Sequence, residues 1–341
     1  MAGAPSPSPT PRTAGLAPDV LRLLRSATEL HERGRLREAE AIYKDALAAA
    51  PGHPEVLHLV GLVSYQLGRP QDAVPYLERA AAADGLVAAY YDNLGLALRA
   101  VGRLEDAATA HRQAAVLDRH TPGAHFNLGA VLQSLGRHED AISAFRRALA
   151  IAPDYPEVHN AIAASFAQTG KAELALSHVR RALATRPGFA DAHLTLANIL
   201  AAQDRLDEAR AHYAEALKLD PSNPEARRGV AFLLFQAQEF AGAAEAARAA
   251  LDDADADLLH VGAESARRLG RLDEAEALYR RLCAAAPRSA DARRGLAGVF
   301  FERGAFADAR EAYQGVLAID PTCAVSRARL AAIDAPQGAD R

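Results

Sequence analysis

Cysteine and tryptophan are nearly missing from this chain. Its 341 residues contain two cysteines, Cys283 and Cys323, and no Trp. Two cysteines cannot form a disulfide framework, and their separation does not match the paired spacing of a zinc site. We therefore expect neither a disulfide scaffold nor a structural metal.

Long apolar runs, a secretion signal and a strong charge imbalance are missing as well. No apolar run approaches the roughly 18 residues that cross a bilayer. The start of the chain, MAGAPSPSPTPRTAGLA, lacks a basic region followed by an apolar core. The net charge of −4 is mild and evenly mixed, which is not typical of a nucleic-acid surface. These features predict a cytoplasmic protein without membrane insertion or nucleic-acid binding.

Alternating patterns of β-branched residues, the usual mark of strands, are also missing. Ala and Leu dominate the composition instead. The chain is therefore expected to be all-α, with essentially no sheet.

One stretch carries a distinctive spacing of large apolar and small residues. It runs from position 128 to position 153, and its spaced positions are Leu128, Gly129, Gly136, Ala141, Phe145, Ala148 and Pro153. The large residues would hold two antiparallel helices together, and the small ones would let them approach. Gly136 would supply the positive φ that ends the first helix, and Pro153 would stop the second.

The same spacing recurs along nearly the whole chain with a period of 34 residues. The turn position is held by Gly34, Gly68, Gly102, Gly136, Gly170, Asp204, Gln238, Gly270 and Gly304. The small position of the second helix is held by Ala39, Ala73, Ala107, Ala141, Ala175, Ala209, Ala243, Ala275 and Ala309. A unit of this kind buries its apolar face only by stacking on its neighbours, so the fold must be a stack of repeats.

In these positions the chain resembles the tetratricopeptide repeat (TPR) family over residues 20–334. The resemblance implies an all-α superhelical solenoid of about nine helix-turn-helix repeats plus a C-terminal capping helix at 324–334. Repeats are expected to start near residues 20, 54, 88, 122, 156, 190, 224, 256 and 290. The superhelix then spans 18–334, between a disordered Pro/Ser-rich segment at 1–17 and a loose tail at 335–341.

Repeat seven departs most from the pattern. Its turn residue is Gln238, its aromatic position is Ala247, and two residues are missing before repeat eight. The superhelix is therefore expected to be loosest between repeats seven and eight. Tolerated sequence drift without a mechanical role is the alternative.

Two groups of residues imitate metal sites, and for both a structural role is the simpler interpretation. His125, His159 and His193 recur every 34 residues, but neighbouring helices lie about 8–10 Å apart, too far for shared zinc ligands. The second group is spaced like a calcium loop and comprises Asp253, Asp255, Asp257 and Glu264. It has Leu258 where that loop requires glycine, so an acidic helix start is favoured.

No catalytic triad or phosphate-binding loop occurs in a usable context. We therefore expect a non-catalytic protein without cofactor. In the TPR family the first helices line a concave groove, and the resemblance implies a peptide or protein ligand there. The groove positions with binding potential are His58, Leu62, Tyr65, Phe126, Asn127, Asn160, Asn198, Arg228, Phe232, Phe235, Arg267, Arg294 and Phe301.

Two narrower resemblances fit less well. Positions of the chaperone carboxylate clamp carry His58, Leu62, Gly123 and Asn127 here, so that clamp is not reproduced. The repeats also resemble the bacterial TPR arms of the O-linked N-acetylglucosamine transferase type, without the catalytic domain. Of that type's asparagine ladder only Asn93 and Asn127 are present.

The sequence thus predicts a scaffold or adaptor that binds a protein segment of unknown identity. The alternative is a detached or truncated recognition arm that serves a glycosyltransferase or sulfotransferase. Self-association through the ends of the solenoid is a third interpretation.

Overall fold

The computed structural model describes residues 13–250 and 255–335, and over these ranges the chain forms nineteen α-helices and no strand. The helices are α1 (Pro18–Glu32), α2 (Leu36–Ala49), α3 (Pro54–Gln66), α4 (Pro70–Ala83), α5 (Ala88–Ala100), α6 (Leu104–Leu117), α7 (Pro122–Ser134), α8 (His138–Ile151), α9 (Pro156–Gln168), α10 (Ala172–Thr185), α11 (Ala190–Ala202), α12 (Leu206–Leu219), α13 (Pro224–Gln236), α14 (Phe240–Ala250), α15 (Ala256–Arg268), α16 (Leu272–Ala285), α17 (Ala290–Arg303), α18 (Phe306–Ile319) and α19 (Ala324–Asp334). Each odd-numbered helix up to α17 is followed by an even-numbered partner, which gives nine hairpins and a final helix. The predicted all-α repeat fold is confirmed.

The turn inside each hairpin is made by one residue in the left-handed conformation. Seven turn glycines have φ between +71° and +82°, and Asp204 and Gln238 adopt the same conformation at φ +61° and +60°. The residue after each turn donates its backbone N–H five residues back, as Arg137 does to Leu132 O at 2.9 Å. This bond closes the first helix and satisfies one of its last carbonyls.

The two helices of a hairpin pack through small residues, as the spacing predicts. All nine alanines of the small position have no exposed surface. Gly129 faces Phe145 so closely that an added Cβ would lie 2.4 Å from the ring. Gly295 faces Tyr279 in the same way, at 2.1 Å. Glycine is therefore required at these positions to seat a large side chain from the second helix.

The chain divides into two compact units, here called unit 1 (up to Pro187, α1–α10) and unit 2 (from Gly188, α11–α19). In unit 1, Val20, Tyr43 and Val60 belong to one buried cluster that joins α1, α2 and α3. In unit 2, a cluster that includes Tyr279 joins α15, α16 and α17.

Parts of the predicted domain layout lie outside the described residues. These are 1–12 of the N-terminal segment, 336–341 of the tail, and 251–254 at the junction of repeats seven and eight. Of the segment 1–17, residues 13–17 are described, and Leu16 packs against the cluster of unit 1. Greater looseness between repeats seven and eight stays a prediction.

Candidate functional site

Three of the predicted groove residues are buried in unit 1. His58 has no exposed surface, and Leu62 and Asn127 are 5% and 4% exposed. The cover over α3 comes from the next first helix, since the Nδ2 of Asn93 on α5 lies 2.8 Å from the Nε2 of His58. A ligand cannot reach these side chains in this structure, so position alone placed them wrongly on an open surface.

Below that surface lies a buried network of polar side chains that joins α3, α5, α6 and α7. The Tyr90 hydroxyl donates to Glu55 Oε2 at 2.8 Å. Asp92 Oδ1 lies 2.9 Å from His111 Nδ1 and accepts from Asn127 Nδ2 at 3.0 Å. Because buried polar groups are costly unless they are hydrogen-bonded, this network fixes the register of neighbouring repeats.

The remaining predicted residues of unit 1 are partly exposed and far less concentrated. Phe126 packs against Phe145 and Tyr155, with ring centroids 5.9 and 5.7 Å away. Tyr65 and Asn160 are each half-buried. These side chains line no cavity as large as those of unit 2 described next.

The first helices of unit 2 open a cavity of about 500 Å³, here called the Phe232 cavity. Its lining consists of Asn198, Ala201, Tyr213, Glu225, Arg228, Gly229, Phe232, Leu233, Gln236 and Asp257. Arg228 lies 5.4 Å from the ring centroid of Phe232 and binds Asp257 at 3.0 Å. The Tyr213 hydroxyl donates to Asn198 Oδ1 at 2.5 Å. Asn198, Arg228 and Phe232, named from the sequence, are thus brought together.

A second cavity of about 400 Å³, here called the Phe301 cavity, lies among α13, α15, α16, α17, α18 and α19. It is lined by Phe235, His260, Glu264, Arg267, Tyr279, Asp291, Arg294, Gly295, Gly298, Phe301, Glu302, Tyr313, Val325 and Arg329. Four predicted residues, Phe235, Arg267, Arg294 and Phe301, meet here.

A compact ion network forms one wall of the Phe301 cavity. The carboxylate of Glu264 accepts from Arg267 Nε, from Arg268 Nε and from the Tyr279 hydroxyl, each at 2.8 Å. Arg267 also binds Glu302. Burial by itself would raise the pKa of Glu264, but the hydrogen bonds from Arg267, Arg268 and Tyr279 outweigh it and lower this pKa to about 2. Arg267 is therefore held rigidly at the cavity edge.

Other cavity residues were not found from groove positions, namely Glu264, Tyr279, Gly298, Tyr313 and Arg329. Tyr279 and Tyr313 come from second helices, which the groove rule does not consider. Their sequence signal is a spacing of 15, because Tyr279 is bonded to residue 264 and Tyr213 to residue 198. The linings of both cavities combine aromatic rings with paired charges, a composition enriched where proteins recognise proteins.

The histidines that recur every 34 residues pair with a second histidine of their own hairpin. His159 Nδ1 lies 3.0 Å from His178 Nδ1, and His193 Nδ1 lies 3.0 Å from His212 Nδ1. His159 also bonds Pro153 O through Nε2. Within residues 13–250 and 255–335, no three ligating side chains converge as a metal site requires.

The acidic run before α15 is occupied by local bonds. Asp255 is the N-cap and accepts from the Leu258 N–H at 3.0 Å, and Glu264 is held by arginines as described above. Asp253 lies outside the described residues. The acidic helix start that the sequence favours is the arrangement seen at Asp255.

Comparison with known proteins identifies the repeat. The family model described as the cilia and flagella-associated protein 70 C-terminal domain matches residues 11–231. A second model, described as the tetratricopeptide repeat, matches residues 261–322. No curated protein matches the chain. In the described ranges, every helix is too short or too polar to cross a bilayer.

Solved structures share the fold. PilF of Pseudomonas aeruginosa is 19% identical, with 64% of this chain and 97% of that chain covered at a TM-score of 0.53. MamA is 26% identical, with 47% and 94% covered at a TM-score of 0.46. YrrB, described as a TPR protein with an unusual peptide-binding site, is 18% identical, with 54% and 95% covered at a TM-score of 0.45. The match to PilF supports the fold alone.

The first family model covers more than half of the chain, and the second covers repeats near its C-terminal end. Nine helical hairpins with one shared turn and packing geometry agree with both. The chain therefore belongs to the family of the cilia and flagella-associated protein 70 C-terminal domain, a family of tetratricopeptide repeats.

Proposed function

We propose that this protein is a non-catalytic adaptor that binds a segment of another protein across unit 2, through the Phe232 and Phe301 cavities. The observation that carries the proposal is the gathering of aromatic rings and arginines in these two cavities. Phe232 and Phe235, one helical turn apart on α13, belong to the two linings. A bound segment that crosses α13 would therefore reach both cavities.

The chemistry of these cavities suits a peptide with apolar anchors. Pockets of about 300–1,000 Å³ hold ligand groups well, and both volumes fall in this range. Arg228 and Arg267 are held by their own ion pairs, so they offer ordered surfaces and lose little entropy on binding. Affinity would still be modest unless the segment is preorganised, because ordering a flexible chain has an entropic cost.

A random peptide library displayed on phage would test this function with the full chain as target. We expect enriched peptides to bind the wild type and to lose at least about tenfold in affinity with Phe232→Ala plus Phe301→Ala, since hot-spot aromatics each contribute about 2 kcal/mol or more. Leu174→Ala is the matched control, because Leu174 is an exposed apolar residue of unit 1. Equal binding by the double variant, with an unchanged helical circular-dichroism signal, would contradict the proposed site.

The alternative is a recognition arm for a glycosyltransferase or sulfotransferase, similar to the arm of O-linked N-acetylglucosamine transferases. The two ladder asparagines, Asn93 and Asn127, are 3% and 4% exposed and hydrogen-bonded inside unit 1. They are not available to hold a peptide backbone, which disfavours this alternative. Stable co-purification of the chain with a transferase would favour it instead. A cytoplasmic location remains part of the adaptor proposal.

A further inference from the structure

The hydroxyl of each second-helix tyrosine with a partner bonds to the side chain 15 residues earlier. The Tyr43 hydroxyl lies 3.3 Å from Thr28 Oγ1, and the hydroxyls of Tyr213 and Tyr279 donate to Asn198 and Glu264. This spacing joins the second helix of a repeat to the groove face of its own first helix. It gives each buried hydroxyl an internal partner.

Tyr313 breaks this rule. The position 15 residues earlier is Gly298, which has no side chain, and both residues line the Phe301 cavity. Tyr313 is only 2% exposed, and none of the residues that the structure describes forms a hydrogen bond with its hydroxyl. Since a buried hydroxyl without a partner is costly, this group is a donor left available to a ligand in the cavity.

The other polar groups of the cavity differ in sign and in engagement. Every acidic group of the lining already binds an arginine of the chain. Glu264 and Glu302 bind Arg267, and Asp291 binds Arg294 at 2.6 Å. The unused hydrogen-bonding capacity of the cavity therefore consists mainly of donors.

Arg329 on α19 is the second such donor. Its guanidinium lies 4.5 Å from the ring centroid of Phe301, and within the described ranges it forms no ion pair. Burial raises the pKa of Tyr313, and the charge of nearby Arg329 opposes this effect. The hydroxyl thus keeps its proton at neutral pH and lies within the electrostatic reach of Arg329.

We propose that the Phe301 cavity binds a side-chain carboxylate of a peptide, which accepts hydrogen bonds from the Tyr313 hydroxyl and the Arg329 guanidinium. Phe301 and the half-exposed Val325 contact the apolar residue beside that carboxylate. This inference rests on the adaptor function proposed above and gives its ligand a chemical class, an acidic peptide with apolar neighbours.

The test compares matched peptides on the full-length protein. Peptides enriched from the phage library are synthesised with a fluorescein label and an amidated C-terminus, so that no terminal carboxylate can occupy the cavity. Each is paired with a version that carries Gln for Glu or Asn for Asp. We expect the acidic version to bind at least about tenfold more tightly, as hydrogen bonds to a charged group allow.

Three variants assign this preference to the cavity. Tyr313→Phe and Arg329→Gln each remove one donor and should reduce the acidic preference several-fold. Gly298→Asn places a side-chain amide where Asn198 stands for Tyr213, and its Cβ would meet only Arg267 Nη1 at 4.0 Å. It should give Tyr313 an internal partner and lower the acidic preference while the fold is kept.

Two control variants remove the same chemical groups elsewhere. Arg327→Gln acts on the same helix, where Arg327 donates to Thr322 O, and Tyr43→Phe removes a hydroxyl in unit 1. Both should keep the full acidic preference.

The outcomes separate this inference from the proposed function. If the wild type enriches no peptide, the adaptor function and the carboxylate site both fail. If peptides are enriched without an acidic preference, or if that preference survives in Tyr313→Phe, Arg329→Gln and Gly298→Asn, only the carboxylate site is wrong. Thermal unfolding of every variant shows whether a loss of binding reflects a loss of structure.

Discussion

Two glycines on α17, three residues apart, should respond in opposite ways to the same substitution. An added Cβ at Gly295 would lie 2.1 Å from the ring of Tyr279, which is fully buried. The Cβ at Gly298 would meet no atom closer than 4.0 Å. Glycine inside a helix is about 1 kcal/mol less favourable than alanine, so Gly298→Ala should stabilise the protein by about that amount.

For Gly295→Ala the same helical gain is opposed by overpacking, which costs about 1–3 kcal/mol in a dense core. Tyr279 cannot easily move away, because its hydroxyl is held by Glu264 and that carboxylate by two arginines. The two variants should therefore differ by about 1–3 kcal/mol. For a domain of this size, each kcal/mol shifts the midpoint of thermal unfolding by about 2–4 °C.

Thermal unfolding followed by circular dichroism at 222 nm measures this difference on the full chain. We expect the midpoint of Gly298→Ala to rise above the wild type and that of Gly295→Ala to fall clearly below Gly298→Ala. Equal midpoints for the two variants would refute the close approach of α17 and Tyr279 as the reason for glycine at this position.

Three further predictions follow from packing, turn geometry and burial. Ala141→Leu should lower the free energy of unfolding by about 1–3 kcal/mol, because Ala141 is fully buried between two helices; a wild-type midpoint in chemical denaturation would contradict this packing. Gln238→Gly should raise that free energy by up to about 1–2 kcal/mol, because Gln238 has φ +60°, which glycine adopts without steric cost; Gly136→Ala is the converse control and should lower it. Burial lowers the pKa of His58 from 6.5 to about 4, so between these values the unfolded chain binds a proton that the folded chain excludes. The contribution of His58 is therefore neutral above pH 6.5 and costs about 2 kcal/mol of stability at pH 5. Denaturation at pH 7.5 and pH 5 should show a smaller loss for His58→Gln than for the wild type, and an equal loss would contradict the prediction.

The fold was predictable because its periodic constraints are local. A turn that must have a positive φ, and a small residue where two helices touch, recur at fixed positions that a sequence displays directly. Even Asp204 and Gln238, which are not glycine, adopt the left-handed turn, because the packing of the flanking helices outweighs the strain of one residue.

The candidate site was only partly predictable, because exposure depends on neighbouring helices. Phe235, Arg267, Arg294 and Phe301 do meet in one cavity, as their positions suggested. His58 and Asn127 hold equivalent positions but are covered by side chains from the adjacent first helix. Nothing in a rule based on position within one repeat describes what the next repeat places above it.

Hydrogen bonds between residues 35 apart have a consequence for engineering. Glu55 with Tyr90, His58 with Asn93, and Asp92 with Asn127 link consecutive first helices in pairs that are each chemically different. A duplicated, deleted or transplanted copy of one of these hairpins would leave half of a pair facing the wrong partner. The middle of unit 1 is consequently not a set of interchangeable cassettes, and consensus designs based on this chain should move these three hairpins as one block.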